Sequence, residues 1–229
     1  MKNKLLSIIF SILFLPNALA ENLLIEAKNI SLDKNTEISI FRDEVIVTTE
    51  DNNIIKSDYV EYNKKKGFLK LKNNIVVKDN QNNIIETDYA EYYVSDKLFK
   101  SKGPTKITTS EEYVIQGEDI DFDNKKRFIN SKKSSIIKDK DENKIFLENF
   151  EYQIVDNIFK SIGFVKINDN MGNVYEFSQI YIDTKKKEIL GTDIKGFLNQ
   201  SGLKFNANNK PRVFANTIKL TEEETSFNK

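Results

Sequence analysis

Ile54-Ile-Lys-Ser-Asp-Tyr-Val-Glu-Tyr62 and Ile84-Ile-Glu-Thr-Asp-Tyr-Ala-Glu-Tyr92 are one nine-residue phrase written twice, thirty residues apart and without a gap. A further step of thirty gives Val114-Ile-Gln-Gly-Glu-Asp-Ile-Asp-Phe122, then Lys144-Ile-Phe-Leu-Glu-Asn-Phe-Glu-Tyr152 and Val174-Tyr-Glu-Phe-Ser-Gln-Ile-Tyr-Ile182. A step backward gives Leu24-Ile-Glu-Ala-Lys-Asn-Ile-Ser-Leu32. A seventh copy, Val213 to Leu220, fits at an offset of thirty-eight. Within the phrase the second and fourth positions are apolar or small, and so are the seventh and ninth. A spacing of two is the period of a strand, where alternate side chains share a face. The step between the two pairs is odd, which sends the second pair to the opposite face. A bulge or bend near Asp58-Tyr59 would return both pairs to one core.

Each repeat holds two more strand-like pieces. Phe68-Leu69 is matched by Leu98-Phe99, Phe128-Ile129 and Ile158-Phe159. Val45-Ile-Val47 is matched by Ile75-Val-Val77, Thr105-Lys-Ile107, Ser135-Ile-Ile137 and Val165-Lys-Ile167. Polar stretches punctuate them: Asp51-Asn52-Asn53, Asn63 to Lys66, Lys72-Asn73-Asn74, Asp79 to Asn83 and Asp123-Asn124. Asx side chains bond to the nearby backbone and tolerate left-handed conformations, so these stretches are expected to be turns. With 16 Phe and 9 Tyr against only 8 Gly, the composition also favours pleated sheet.

The first twenty residues are expected to lie outside the fold. Lys2 and Lys4 precede an eleven-residue apolar run, Leu5 to Leu15, and Ala18-Leu19-Ala20 follows as a cleavage site. That is the pattern of a secretory signal peptide, and the apolar run is short for a bilayer span. The mature chain would begin at Glu21, and the absence of cysteine after it speaks against a lipoprotein anchor. Removing Lys2 and Lys4 from 35 basic residues leaves 33 against 35 acidic ones, a net charge of −2. Nucleic-acid binding, which calls for a basic excess, is not expected. Disulfides are excluded by the zero cysteine count. The periplasm is the expected compartment.

The fold expected is all-β: residues 21–220 as an elongated, twisted β-jellyroll of six or seven thirty-residue units, with a tail at 221–229. A right-handed parallel β-helix with one coil per unit satisfies the same periodicity. Either stack leaves two strand edges, residues 24–32 and 213–220, and an unpaired edge is a template for another strand. The expected edge residues are Leu24, Ile25, Ile30 and Leu32 at one end and Val213, Phe214, Ile218 and Leu220 at the other.

Ile55-Lys-Ser-Asp-Tyr-Val-Glu-Tyr62 followed by Phe68-Leu-Lys-Leu-Lys-Asn-Asn-Ile-Val-Val77, in six in-register copies behind an export signal, resembles the lipopolysaccharide-transport β-jellyroll family. Its members are LptA, LptC and the N-terminal, organic-solvent-tolerance domain of LptD. Asn208 to Asn216 and the ending Thr225 to Lys229 bring the chain nearest to that LptD domain, although no barrel strands follow. The tail is therefore a candidate truncation point of an LptD.

The resemblance implies an interior groove that shelters acyl chains, and no cofactor. It implies lipopolysaccharide and other Lpt jellyrolls, joined by edge-strand addition, as partners. Outer-membrane assembly partners, and an outer-membrane association, would follow if the chain is part of LptD. Groove residues expected on this basis are Ile55, Val60, Tyr62, Ile85, Ala90, Tyr92, Ile115, Ile120, Phe122, Ile145, Phe150 and Tyr152. The plainer reading of the same twelve is a packed core.

Other signals carry less. Residues 64–66 and 185–187 are lysine runs that can meet phosphate or simply form solvated turns. Asp139-Lys-Asp141-Glu-Asn143 begins like a calcium loop, but Lys144 and Phe150 stand where such a loop needs Gly and Glu. Tyr59 and Tyr89 suit a groove rim or ordinary cross-strand packing. With no His and no Cys, the usual general base and the thiol nucleophile are missing, as are the usual zinc ligands. The main catalytic alternative is a β-helix enzyme acting on polysaccharide through a ladder of Asp58, Asp88, Glu118 and Glu148. A structural or adhesive solenoid is the other alternative.

Overall fold

The computed structural model describes residues 23–110, 112–186, 188–199, 211–221 and 225–228. The expected leader at 1–20 lies outside these residues, as does the stretch 200–210.

Nineteen strands occur among the described residues. They are β1 (Leu24–Glu26), β2 (Asn29–Asp33), β3 (Ile38–Thr48), β4 (Ile54–Asn63), β5 (Phe68–Lys78), β6 (Ile84–Tyr93), β7 (Leu98–Ser101), β8 (Pro104–Thr108), β9 (Val114–Glu118), β10 (Asp121–Asp123), β11 (Phe128–Ser131), β12 (Ser135–Lys138), β13 (Lys144–Leu147), β14 (Phe150–Gln153), β15 (Ile158–Asn168), β16 (Val174–Asp183), β17 (Glu188–Phe197), β18 (Arg212–Leu220) and β19 (Thr225–Asn228). Every pairing between them is antiparallel. A parallel β-helix is thereby ruled out, and the chain is a meander folded along its length into a jellyroll.

The fold line follows from the odd step in the repeat. The ladder between β4 and β5 skips from Lys56–Val76 to Tyr59–Lys72, and the β3–β4 ladder skips between Arg42 and Val45. In the middle of the molecule the same skip widens into a break, so that β7 and β8, or β9 and β10, are two halves of one rung. One half of every rung pairs only with like halves. Two half-sheets result, sharing a crease. The first contains β2, β7, β10, β11, β14 and β19; the second contains β1, β8, β9, β12 and β13. The longer strands run through both.

Lys72-Asn73-Asn74, expected as a turn, is instead the crease of β5, with Asn73 and Asn74 at φ 65° and 49°. The two pieces flanking it, Phe68-Leu69 and Ile75-Val-Val77, are thus one rung rather than two strands. Positive φ recurs at Asp43, Asn73, Gly103, Gly163 and Asp193, most of them thirty residues apart. The repeat is written in the backbone as well as in the side chains. One repeat is one hairpin: a rung out and a rung back.

Breaking the ladder at the crease would strand buried carbonyls. Small hydroxyl side chains answer this. Thr87 Oγ1 donates to Pro104 O at 3.1 Å, Ser131 Oγ to Glu118 O at 2.7 Å, and Ser161 Oγ to Asn149 O at 2.6 Å. All three side chains are buried. Ser57 and Thr87 occupy the fourth position of the phrase, and where that position is Leu147 or Phe177 a serine of a neighbouring rung, such as Ser161, pairs the polar backbone at the crease instead.

The interior faces of the half-sheets form one continuous core from Phe41 to Ile218. Val47, Val60, Leu69, Leu71, Ala90 and Val165 expose no surface. Each of the buried Val and Leu side chains among them contributes roughly 1.5–3 kcal/mol. Outward faces carry register-matched ion pairs such as Lys106–Glu86 at 2.8 Å and Lys160–Glu151 at 2.5 Å.

Candidate functional site

The twelve expected groove residues all lie on the shared interior. Ile55, Val60, Ile85, Ala90, Tyr92, Ile120, Phe122 and Phe150 are buried, and Tyr62, Ile115, Ile145 and Tyr152 are half-buried and packed against that core. They lie on four alternate rungs, those of β4, β6, β9–β10 and β13–β14, and on both half-sheets, and the rungs between them continue the same apolar lining. The lining is filled by its own side chains, Phe150 stacking on Phe159 with ring centroids 6.0 Å apart.

Opposite the crease, the two half-sheets end in two rows of hairpin turns. These rows are the lips of a long margin that no rung covers among the described residues. On the first half-sheet the turns are 34–37, 64–67, 94–97, 124–127, 154–157 and the start of 184–187. Ten described basic residues lie there, against Glu37, Asp96 and Asp156. On the second half-sheet the turns are 49–53, 79–83, 109–113, 139–143 and 169–173. Eight described acidic residues lie there, against Lys140 alone. Both lysine runs noted in the sequence belong to the basic lip. Because each charge sits at the turn of its own repeat, the periodicity sorts the signs onto opposite lips.

The acidic turns are built by their own carboxylates. Asp79, Asp139 and Asp169 each accept from the backbone N–H groups two and four residues on, and from the amide of an Asn. Asp139 is therefore a turn-former. The Asn residues in turn link neighbouring turns: Asn83 Oδ1 accepts from Ser110 N, and Asn143 Oδ1 from Asn170 N.

At the molecule's two ends the rungs lie open. Leu24, Ile25, Ile30 and Leu32 belong to β1 and β2, which pair only with β3 among the described residues. Ile30 stands opposite the buried Phe41, on the inner face, yet is 63% exposed; Leu32 is 60% exposed. At the other end, Val213 and Phe214 lie on the half of β18 with no outer neighbour among the described residues. Ile218 and Leu220 do not: β19, within the expected tail, covers Thr217 to Leu220. Phe214 is exposed, whereas Ile218 is buried.

The remaining signals fall outside the interior. Tyr59 lies beneath Arg42 and Lys72, at 5.4 and 5.1 Å, and Tyr89 beneath Lys102 at 5.5 Å. Of the four acids in the alternative ladder, Asp58 accepts from Asn74 at 2.7 Å, Glu118 from Lys133 at 3.5 Å and Glu148 from Phe164 N at 3.1 Å. These contacts brace the crease. Among the described residues, no cluster of acids is placed to hold a metal ion.

A family model described as "Lipopolysaccharide-assembly, LptC-related" matches residues 20–136, just over half of the chain. The chain belongs to that family. The lipopolysaccharide-assembly match covers the first half of the jellyroll, and the later rungs continue the same repeat. Among solved structures, the chain is similar to LptH of Pseudomonas aeruginosa, the LptA-homologous periplasmic component of its lipopolysaccharide transport device. Identity is 11%, over 85% of this chain and 94% of that one, with a TM-score of 0.21. The TCP10 domain of Danio rerio CPAP, in complex with a STIL peptide, aligns at 10% identity over 66% of this chain and 96% of that one, with a TM-score of 0.15. Neither superposition is close enough to bear on function. No curated protein matches.

Proposed function

We propose that this chain is a periplasmic component of a lipopolysaccharide-assembly apparatus, sheltering acyl chains along its interior and handing them to neighbouring jellyrolls. One observation carries the reading. In a member of the LptC-related family, a single apolar lining runs through successive, near-equivalent rungs from Ile55 to Tyr152. Apolar burial is non-directional and yields about 25 cal/mol per Å². A row of similar sites therefore holds a hydrocarbon chain without fixing it at one position, which suits passage.

The open rungs supply the route onward. Ile30 and Leu32 present inner-face apolar groups with no rung above them among the described residues. A strand added there would continue both the ladder and the core. The finer assignment, to the N-terminal domain of an LptD working at the outer membrane, rests on the sequence from Asn208 to Asn216. Catalysis has no support in the geometry of Asp58, Glu118 and Glu148, whose carboxylates are engaged in bracing the crease.

Photo-crosslinking in cells tests the proposal. A photoreactive residue at Tyr152, half-buried on the inner face, should yield a covalent lipopolysaccharide adduct, and one at the outward Lys106 should not. Equal labelling at both positions, or at neither, rejects an interior path.

A further inference from the structure

A polar clasp joins the two lips across the free margin. Asp51, in the turn between β3 and β4 on the acidic lip, accepts from Lys97 Nζ at 2.8 Å and from Asn124 Nδ2 at 3.1 Å. Lys97 and Asn124 lie on the basic lip, 46 and 73 residues away in sequence. Glu50 adds a second carboxylate 3.4 Å from Lys97. On the basic side the two turns are already one unit: Asn124 N donates to Lys97 O at 3.0 Å, and Arg127 Nη1 donates to Asn124 Oδ1 at 3.0 Å. Just inside, Val94 and Ile154 from the same lip pack on the core.

We propose that Asp51 is the latch of a gate, closing the margin between the half-sheets, and that its release admits an acyl chain to the interior. The inference rests on the sheltering role proposed above. Three features support it. The interior is filled by its own side chains, so a chain seated along its length needs room that parting of the lips would give. The clasp contacts join the lips directly, whereas the ladder bonds elsewhere act within a half-sheet. Finally, the Lys97 and Asp51 side chains are 30% and 29% exposed. Solvent-accessible pairs of this kind are weak and screened by salt, so they can open without unfolding the sheets.

The absence of native cysteine permits a direct test in the whole mature chain. Ile54→Cys on the acidic side and Lys125→Cys on the basic side carry spin labels, and their separation is measured with Asp51 intact, as Asp51→Asn, and with Asp141→Asn as an acidic-lip control. Uptake of a dansyl-labelled fatty acid by the same variants without the label sites is followed by stopped flow. The gate predicts a longer, broader distance distribution and roughly five-fold faster uptake for Asp51→Asn only, as loss of about 1 kcal/mol of exposed ion pairing gives. An unchanged distribution in Asp51→Asn overturns the gate. A broadened distribution with no uptake by any variant overturns the sheltering role, and the gate's function with it.

Discussion

Ser57 Oγ donates to the carbonyl of Lys72 at 2.9 Å, across the crease, where the β4–β5 ladder has skipped its own hydrogen bonds. The same hydroxyl accepts from Tyr59 N at 3.3 Å. One buried side chain thus serves an orphan acceptor and an orphan donor. The bend that turns a flat meander into two facing half-sheets depends on such residues, because a crease lined only by aliphatic groups would leave polar backbone dry and unpaired.

Ser57→Ala is expected to destabilise the protein by about 1–3 kcal/mol, the cost of leaving buried partners unsatisfied. Ser161→Ala, which removes the donor to Asn149 O, should behave alike. Ser31→Ala, on the exposed first rung, should stay within about 0.5 kcal/mol. Urea unfolding midpoints of the three variants decide this. Equal, small losses at all three would mean that the crease hydroxyls are not structural.

Gly191 marks a close approach of two rungs. A Cβ built there would lie 2.4 Å from Phe177 Cδ1 and 3.2 Å from Ile218 Cγ2. Gly191→Ala should cost about 1–3 kcal/mol by overpacking. Combined with Phe177→Leu, which shortens the neighbour, it should cost less than the sum of the two single changes. Strict additivity in a double-mutant cycle would place the penalty elsewhere.

Most of the fold is legible in the phrase beginning at Ile54, because each position has one neighbour class. Ile55 and Val60 face a core in every copy, and the odd step between Ser57 and Val60 announces the bend. What escapes the sequence is which polar stretch is a turn and which a crease. Lys72-Asn73-Asn74 has turn composition, since Asn suits left-handed φ in both settings, and only the continuing ladder on either side distinguishes them. The jellyroll itself follows from antiparallel pairing, which periodicity does not encode. Of the candidate site, the twelve lining residues are legible as an inner face. The clasp is not: Asp51, Lys97 and Asn124 sit in different repeats, and only the crossing of the half-sheets brings them together. Its one sequence trace is the alternation of acidic and basic turns.

Glu91 gives a pH signature. Its carboxyl is held below the usual glutamate range, chiefly by the hydrogen bond from Lys102 at 2.8 Å, against the opposing effect of burial, with a further bond from Tyr93. A depressed value in the folded state contributes stability above the unfolded glutamate range, and that stability is lost as pH falls through the lower folded value. Burial, reinforced by Glu91, holds the Tyr93 phenol above its ordinary range, so its contribution is lost as pH rises. Glu91→Gln should flatten the acid limb of a stability–pH profile by less than about 1 kcal/mol, because Lys102 is largely solvated. Parallel acid limbs in the two proteins would rule out this source.

The exposed first rung separates association from stability. Ile30 faces inward beside Phe41 but has no rung above it among the described residues and is 63% exposed, so in the isolated chain it buries little that a substitution could forfeit. Ile30→Asp should therefore leave the unfolding midpoint within about 0.5 kcal/mol of the parent. If the rung receives another jellyroll, the same change sets a charge in the joint core of the pair, where an unpaired carboxylate is costly. Crosslinking to a partner jellyroll from a photoreactive residue at the neighbouring Asn29 should then fall to background, while the parent gives a specific adduct. A variant that keeps its adduct would show that strands do not add at this end. A variant that unfolds would show that Ile30 already belongs to the chain's own core.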